Sequence, residues 1–265
     1  MGVLKRKKTA LVFGGGSARG ISHIGVLKVL KRENIEFDFV VGTSIGALMA
    51  AGYALGVPIE EMEKEALEFS AKDLLELTIP RMGLSDGNKL ERIIRNSIRN
   101  KSFADLKIPL YVVTTDVENG TEVIFSEGDL TQAIKASCSL PGIFTPVTID
   151  GKLLIDGGII NSVPVSVAYN MGADFVVATD VGFCVRRGGR MTNILQVIIQ
   201  SLQIMGRELN KHQARHADVV IKPDLKDIDQ LAFSQAAETI EAGMKAAEEK
   251  IAIIKRHMKK KYGIF

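Results

Sequence analysis

The chain has 265 residues, of which 46% are hydrophobic and 25% are charged, and its formal net charge is only +3. This length and composition suit one large α/β domain with a sizeable core, and we expect residues 1–265 to form a single domain. Trp is absent and aromatic residues make up only 6% of the chain. Because no aromatic residues interleave with the basic runs, the sequence argues against nucleic acid as a partner.

Cysteine usage and apolar runs bear on the compartment. Cys138 and Cys184 show neither metal-ligand spacing nor a pairing pattern, so we interpret them as ordinary buried residues of a protein in a reducing compartment. We expect neither a metal nor another cofactor. The apolar run from Thr9 to Phe13 is too short for a signal-peptide core, and the run from Phe39 to Val57 is interrupted by four glycines, which favours core over a membrane span. The sequence therefore predicts a cytoplasmic protein.

The basic residues gather in three short clusters, at residues 5–8, 186–190 and 255–261. Solvated, exposed segments are one explanation of these clusters, and attraction to anionic lipid head groups is the other. The sequence leaves open a peripheral contact with a membrane or micelle surface. It does not indicate an oligomeric state.

The first predicted strand, Thr9 to Phe13, leads into a glycine-rich loop, Gly14 to Gly20, and then into an amphipathic helix from about Ile21 to Arg32. Such a loop between a strand and a helix surrounds an anion with backbone N–H groups. The phosphates of a dinucleotide are one candidate anion. However, the third glycine comes one residue late for that fingerprint, and the acidic Asp38 precedes the second strand instead of ending it. An oxyanion explains the loop better.

The second predicted strand ends in Gly42-Thr43-Ser44-Ile45-Gly46, after which residues of high helix propensity follow. A turn of this kind forces its central residue into a strained conformation that presents the side chain, and it needs small flanking residues such as Gly42 and Gly46. The helix N-terminus beyond Ser44 offers N–H groups and a positive dipole end to an oxyanion. We therefore predict a nucleophilic serine. The alternative is a serine that only caps the helix.

Helices and strands alternate through the rest of the chain. The pattern predicts helices at 58–75, 88–99, 130–136, 163–171, 193–214 and 234–261, strands at 110–117, 121–125, 174–180 and 217–222, and a hairpin at 147–154. Residues 78–87 are predicted to form a loop and a flap over the site. Because strands alternate with helices and glycine-rich turns lie at strand ends, we expect an open, mostly parallel α/β sheet sandwiched by helices.

The loop from Gly14 to Gly20, the helix that contains His23 and the motif from Gly42 to Gly46 resemble the patatin-like phospholipase family, particularly its bacterial and archaeal cytoplasmic members. The resemblance extends from Lys8 to about Ala247. It implies a motif core at 8–182, C-terminal elements at 191–262, and a three-layer fold related to the α/β-hydrolases. It also implies an Asp-Gly-Gly motif, and Asp156-Gly157-Gly158 matches it.

The resemblance implies that Ser44 and Asp156 act as a dyad without histidine, and that the oxyanion hole is formed by Gly14, Gly15, Gly16, Ser17 and Arg19. Ser17 stands where the family often has glycine, which leaves the relative roles of Gly15, Gly16 and Ser17 open. Arg19 would help through its N–H or its guanidinium, on the loop or on a phosphate head group. A structural salt bridge is equally compatible with the sequence.

The four histidines test the dyad independently. Three of them, His212, His216 and His257, lie in helix-like charged stretches instead of a loop after a strand, where a triad base would be presented. His23 shares a helical face with apolar residues, which favours a core histidine over one that supports the oxyanion loop. A dyad therefore fits the sequence better than a triad.

In such a dyad Asp156 accepts the Ser44 proton, passes it to the leaving group and then activates water. An ordinary aspartate is a weak base at neutral pH, so we expect modest turnover unless its site is desolvated. The reaction type follows from the residues, whereas the substrates, ester bonds of phospholipids, lysophospholipids or other lipid acyl esters, are implied by the resemblance alone. Two other classes stay open: a catalytically silent lipid-binding or regulatory module, and a dinucleotide-binding oxidoreductase.

Overall fold

The computed structural model describes residues 7–70, 72, 74, 82–183, 191–225 and 228–262. Cys184, the basic cluster at 186–190 and residues 78–81 of the predicted flap lie outside the described residues. The described strands are β1 (Thr9–Phe13), β2 (Phe39–Thr43), β3 (Gly83–Ser85), β4 (Leu110–Asp116), β5 (Thr121–Phe125), β6 (Gly142–Phe144), β7 (Val147–Ile149), β8 (Lys152–Asp156), β9 (Phe175–Thr179) and β10 (Val219–Ile221).

Helices connect most of these strands. They are α1 (Ser22–Arg32), α2 (Ile45–Leu55), α3 (Ile59–Glu68), α4 (Asn88–Ser97), α5 (Leu130–Ser137), α6 (Val165–Asn170), α7 (Ile194–Gln213) and α8 (Ala236–Tyr262). A 3₁₀ helix at Ser17–Ile21 precedes α1, and another at Gly157–Ile159 follows β8. In the part of the chain that the structure describes, no helix is long and apolar enough to cross a membrane.

Eight of the described strands form one sheet in the order β10-β9-β1-β2-β4-β8-β7, and β5 pairs with β4. Strands β10, β9, β1, β2 and β4 are parallel to one another, whereas β8 is antiparallel to both β4 and β7. This architecture confirms the predicted open, mostly parallel α/β sheet. The carboxyl ends of β1, β2 and β9 consequently lie side by side, at the edge where such sheets place their sites.

The central strands are buried on both faces of the sheet. In β1, Leu11 and Phe13 join an apolar cluster with residues of α1, α2 and α8, whereas Ala10 and Val12 join a second cluster with residues of α6. Successive side chains of a strand point to opposite faces, so the uninterrupted apolar sequence of β1 requires helices on both sides. The core therefore lies in two layers, one on each side of the sheet.

Within the described residues, helix α3 and the short strands β3 and β6 differ from the predicted elements. Helix α3 ends at Glu68 instead of near residue 75. The loop prediction for 78–87 is wrong at Gly83–Ser85, which forms strand β3 and pairs in parallel with β6 at Gly142–Phe144. The three-residue strand has no pattern of its own, because its stability comes from a partner some 60 positions away in the sequence.

Candidate active site

Ser44 lies at the turn between β2 and α2. Its backbone has φ 56° and ψ −129°, a conformation that residues other than glycine seldom adopt. The Ser44 N–H donates a hydrogen bond to Oγ of Ser137 over 2.7 Å, and that hydroxyl donates to the carbonyl oxygen of Val113 over 2.6 Å. Ser137 thus ties the strained turn to strand β4.

The two glycines that flank Ser44 allow three backbones to pass close together. A Cβ at Gly46 would lie 2.2 Å from the carbonyl oxygen of Phe13, and a Cβ at Gly42 would lie 2.6 Å from Cα of Ala47. Both distances are shorter than any real contact of a Cβ atom, so a side chain at either position would force β1, β2 and α2 apart. The turn around Ser44 therefore depends on both glycines.

Asp156 reaches Ser44 through the register of strand β4. Val113 of β4 pairs with Thr43, the last residue of β2. The next residue of β4, Thr114, pairs with Asp156 of β8, so β8 takes the place of β2 where β2 turns away. The two side chains, 112 positions apart in sequence, meet at this point, and Ser44 Oγ donates to Asp156 Oδ2 over 2.6 Å.

The second carboxyl oxygen of Asp156 is held by the turn that follows. The N–H of Gly158 donates to Asp156 Oδ1 over 2.7 Å, and the N–H of Asp156 donates to the carbonyl oxygen of Ser139 over 3.0 Å. A Cβ at Gly157 would lie 2.3 Å from the carbonyl oxygen of Val113. The Asp-Gly-Gly sequence thus fixes the carboxylate and keeps this turn close to β4.

The electrostatic setting suits a base. Asp156 is 6% exposed, and burial raises the pKa of its carboxyl to about 6, while the hydrogen bonds from Ser44 and Gly158 lower it to a smaller extent. Desolvation disfavours the ionised form, and neither hydrogen bond fully compensates. The carboxylate is consequently ionised at neutral pH and more basic than an exposed aspartate.

The beginning of the glycine-rich loop is tied to the neighbouring strands. The N–H of Gly14 donates to the carbonyl oxygen of Thr179 over 3.1 Å, and that of Gly15 donates to the carbonyl oxygen of Ser162 over 2.9 Å. A Cβ at Gly15 would lie 3.4 Å from Cβ of Ser44. The loop therefore lies against the serine, but these two N–H groups are not available to an oxyanion.

The next two residues of the loop leave their N–H groups available. The N–H of Arg19 donates to the carbonyl oxygen of Gly16 over 3.2 Å, whereas the N–H groups of Gly16 and Ser17 have no partner among the described residues. Ser17 has φ 53°, a left-handed conformation that favours glycine. Two successive free N–H groups in a tight turn form a concavity suited to an anion.

The guanidinium of Arg19 is hydrogen-bonded to backbone carbonyl oxygens of the protein. The side chain is buried, and its guanidinium donates to the carbonyl oxygens of Val181, Leu225 and Ile228. Its backbone N–H is used within the 3₁₀ helix. The geometry therefore argues against the expected contribution of Arg19 to an oxyanion hole or to a phosphate head group, and it gives the residue a structural role instead.

His23 of α1 contacts the first residue of the glycine-rich loop. Its ring is fully buried, contacts Phe13 edge to face at 5.2 Å, and places Nε2 at 2.8 Å from the carbonyl oxygen of Gly14. Burial lowers the pKa of His23 to about 4, so the imidazole is neutral and its Nε2–H donates to this carbonyl. His23 is thus a core residue, as the sequence favoured, and it also holds the glycine-rich loop, which is the role that the sequence favoured less.

Gln213, at the end of α7, holds the segment that follows the Asp-Gly-Gly turn. Its Oε1 accepts hydrogen bonds from the N–H groups of Ser162 and Val163, over 3.0 Å and 3.2 Å, and its Nε2 donates to the carbonyl oxygen of Ile160 over 2.7 Å. The carbonyl of Ser162 in turn receives the N–H of Gly15. One amide side chain therefore links the C-terminal part of the chain to the glycine-rich loop.

Cys138 lies beside the reactive pair, which differs from its interpretation as an ordinary core residue. Its thiol is free and lies near enough to Ser44 and Asp156 for both residues to influence its pKa. Burial, together with the Asp156 carboxylate, raises the pKa of the thiol well above its usual range. The thiol is therefore protonated and a poor nucleophile.

Sequence reasoning overlooked Ser137, Ser162, Gln213 and the position of Cys138. Ser162 is buried between the loop and the turn, and its hydroxyl has no partner among the described residues. None of the four belongs to a recognisable motif.

The other three histidines lie away from this site. His212 and His216 are exposed on and after α7, and His257 of α8 stacks on Phe175 with ring centroids 5.0 Å apart. Among the residues that the structure describes, no group of three His, Cys, Asp or Glu side chains could hold a metal ion.

The chain is similar to known proteins of one family. The family model described as "Patatin-like phospholipase" matches residues 11–169, more than half of the chain. Patatin-like phospholipase domain-containing protein 6 of Homo sapiens is 38% identical over 188 residues, and Lysophospholipase NTE1 of Yarrowia lipolytica is 35% identical over 186 residues. Each alignment covers 68% of this chain.

These relatives are much longer proteins. The alignments span 14% of the human protein and 13% of the yeast protein. Among solved structures, VipD from Legionella pneumophila matches 93% of this chain and 67% of its own chain, with a TM-score of 0.56 at 15% identity. At that identity, the match supports the fold alone.

Proposed function

Because the chain belongs to the patatin-like phospholipase family, we propose that it hydrolyses acyl ester bonds of lipids with Ser44 as nucleophile and Asp156 as general base. The observation that carries this proposal is the 2.6 Å hydrogen bond from Ser44 Oγ to a buried carboxylate, at a strained strand-to-helix turn. Phospholipids, lysophospholipids and other lipid acyl esters are the proposed substrates, which accords with the names of the relatives.

The acylation half-reaction needs one base and one acid. Ser44 Oγ attacks the carbonyl carbon of the ester while its proton passes to Asp156 Oδ2, the atom it already contacts. The tetrahedral intermediate collapses when the protonated carboxyl gives the proton to the leaving alcohol oxygen, and the C–O bond to the alcohol breaks. The product is an acyl ester on Ser44.

Deacylation repeats the same steps with water. Asp156, again ionised, accepts a proton from a water molecule that attacks the acyl carbonyl, and then returns the proton to Ser44 Oγ as the fatty acid leaves. Because Gly158 holds Oδ1, the oxygen Oδ2 remains oriented toward the serine in both halves.

For the oxyanion hole we propose the N–H groups of Gly16 and Ser17, assisted by the N-terminus of α2. Gly14 and Gly15 would shape the loop, since their own N–H groups are bonded to carbonyls. Gly42, Gly46, Gly157 and Gly158 would maintain the two turns that carry the dyad. Arg19 would anchor the loop through the hydrogen bonds from its guanidinium to backbone carbonyl oxygens.

Covalent labelling with a fluorophosphonate probe, read by intact mass, tests the proposal. We expect one adduct on the wild type and on Ser126→Ala, an exposed serine away from the site, and none on Ser44→Ala. Asp156→Asn should label at least about 100-fold more slowly, because general-base assistance is worth about 10²–10⁴ in rate.

The labelled enzyme is then assayed on a panel of phospholipids, lysophospholipids and soluble esters. Hydrolysis that disappears in Ser44→Ala supports the lipid acyl hydrolase. Folded wild type that takes no label contradicts the dyad and favours the silent lipid-binding module instead.

We also propose that the chain works as one domain in the cytoplasm, in peripheral contact with lipid. The free thiol of Cys138 beside the dyad suits a reducing compartment. Fractionation of cells that express the tagged chain tests the location, and recovery in a secreted fraction would contradict it.

A further inference from the structure

Helix α7 has its polar and apolar sides reversed relative to an ordinary surface helix. Its inward side carries amides: Gln203 donates to Gln230, and Asn210 Nδ2 donates to the buried Asp180 over 2.9 Å. Its outward side is mainly apolar over the first three turns, with the exposed Ser201 among the apolar residues. We call this stripe the outer face, and it consists of Ile194, Val197, Ile198, Ile204 and Met205.

The outer face is unusually exposed for apolar residues. Ile194 is 78% exposed and Met205 is 58% exposed, and the other three members are each at least 40% exposed. Val197 and Ile198 follow Ile194 by three and four residues, and Ile204 and Met205 follow Val197 and Ile198 by seven, so all five fall on one side of the helix and form one stripe around Ser201. An exposed apolar stripe on a folded domain marks an interaction surface.

The inward amides Asn210 and Gln213 attach the C-terminal half of α7 close to the dyad. Asn210 is tied to Asp180, directly after the carboxyl end of β9, and Gln213 holds residues 160–163, which begin four positions after Asp156. In addition, Phe183 packs against α7 at Gly206. The C-terminal half of α7 therefore lies at the same edge of the sheet as Ser44, and the outer face continues from it along the exposed side of the same helix.

We propose that the outer face of α7 docks on the surface of a lipid bilayer or micelle and brings the site to its substrate, an inference that rests on the proposed lipid hydrolase. Helices that lie in a lipid interface combine an apolar stripe with cationic residues that reach the head groups. Here the stripe is followed by Arg207, Lys211 and Arg215, and Glu208 pairs with the first two. The balance is cationic, which favours an anionic surface.

A lipid surface fits the outer face better than a second protein copy. Specific protein interfaces engage about 20–30 residues on each side. The outer face offers five apolar side chains on a single helix, which is the width that an interfacial helix inserts.

The absence of Trp from the chain allows a direct test. In a Ser44→Ala background, Met205→Trp places a single fluorophore on the outer face, and Leu67→Trp places one at a similarly exposed position on α3. Both proteins are mixed with vesicles of phosphatidylcholine, with and without phosphatidylglycerol. We expect a blue shift of the Met205→Trp emission, larger with phosphatidylglycerol, and no shift for Leu67→Trp.

Cosedimentation with the same vesicles measures the affinity. The double variant Ile204→Gln/Met205→Gln should bind at least about tenfold more weakly than its Ser44→Ala parent, since burial of one such side chain is worth that factor or more. Leu67→Gln should bind as the parent does. Equal binding of the double variant, or no blue shift at Met205→Trp, overturns the proposal, as does self-association of the parent that the double variant abolishes.

Hydrolysis of a soluble short-chain ester by the otherwise wild-type enzyme separates the two proposals. If the double variant keeps this activity and loses vesicle binding, both proposals stand. If the wild type has no esterase activity but Met205→Trp still inserts, the docking surface stands and the hydrolase fails. If esterase activity is present without insertion, only the docking surface fails.

Discussion

The two carboxyl oxygens of Asp156 serve different purposes. Oδ1 is held by the N–H of Gly158, which fixes the orientation of the carboxyl, and Oδ2 contacts the Ser44 hydroxyl. Proton transfer is most effective when the pKa of the base lies near the working pH, and burial brings the pKa of Asp156 to about 6. In the proposed dyad, desolvation would therefore contribute the basicity that a histidine supplies in a triad.

The first prediction concerns the pH dependence of the reaction. Only the ionised Asp156 can accept the serine proton, so kcat/KM for a soluble ester should rise with pH through a single ionisation near the pKa of about 6 and then level off. His23, with a pKa of about 4, should not contribute to this limb near neutral pH. If kcat/KM instead rises near the ordinary pKa of an aspartate, or if its pH dependence disappears in a His23 variant, the assignment of this ionisation to Asp156 is wrong.

The second prediction is that the same burial lowers stability. The folded-state pKa of Asp156 lies above the unfolded value, so its favourable contribution exists below the unfolded pKa and is lost as pH rises through about 6. Asp156→Asn keeps an acceptor for Gly158 and removes the charge. At about pH 8 it should therefore raise the free energy of unfolding by on the order of 1–3 kcal/mol.

Urea unfolding measures this effect, and the gain should shrink at about pH 5, where the wild-type carboxyl is protonated. The exposed turn residue Asp150→Asn serves as the control and should change little at either pH. An Asp156→Asn variant that is no more stable than wild type at the higher pH would refute the argument.

The loops that form the site are positioned by helices on either side of the sheet. His23 of α1 holds Gly14 through a ring N–H, and Gln213 of α7 holds residues 160–163 through its amide. Neither side chain touches the reacting atoms. Both act by restricting a glycine-rich loop whose backbone would otherwise be free to move.

The third prediction tests this support. Gln213→Leu leaves two N–H groups and one carbonyl without their partner, so it should lower stability by about 1–3 kcal/mol. Because Ser162 also orients Gly15, we expect kcat to fall about tenfold, with KM for a soluble ester nearly unchanged, since a small misplacement of a site costs up to about 10² in rate.

Gln196→Leu makes the same substitution near the other end of α7, where Gln196 accepts hydrogen bonds from Thr192. It should leave kcat unchanged. If Gln213→Leu melts earlier but retains the wild-type kcat, its amide only stabilises the fold.

The C-terminal helix α8 is part of the core, because it packs directly against α1. Helices α1 and α8 cross at two glycines: a Cβ at Gly25 would lie 2.0 Å from the carbonyl oxygen of Ile240, and a Cβ at Gly243 would lie 2.0 Å from that of Ser22. Ile240 belongs to the same apolar cluster as strand β1. We therefore expect the described residues to unfold as one cooperative unit, in line with the single domain that the sequence predicts.

The fourth prediction follows from this crossing. Gly243→Ala gains about 1 kcal/mol of helix propensity. However, the added methyl meets backbone atoms of α1 that move only if the helices separate, which costs about 1–3 kcal/mol or more. We expect the clash to prevail and to lower the melting temperature of the whole molecule, with secondary structure and esterase activity lost together. Glu249→Ala, on the exposed side of α8, should have little effect.

Several features of this protein follow from local sequence alone. The strand β1, the order of strands and helices, and the close turn around Ser44 are each encoded in a short window, because apolar runs and glycines act on the backbone next to them. Local pattern also indicated a mostly parallel sheet. The turn around Ser44 also predicted its role as nucleophile, whereas the role of Asp156 as base was implied by the family resemblance, and both roles await the labelling experiment.

Other features depend on contacts between distant parts of the chain. Ser44 and Asp156 lie together because β2 and β8 pair with consecutive residues of β4. The Arg19 guanidinium is hydrogen-bonded to carbonyl oxygens some 200 positions away in the sequence. The same holds for strand β3 and for the reversed polarity of α7. Hydrophobic patterns record which residues can be buried, but the register and the partners of buried polar groups are set only when the sheet and helices assemble.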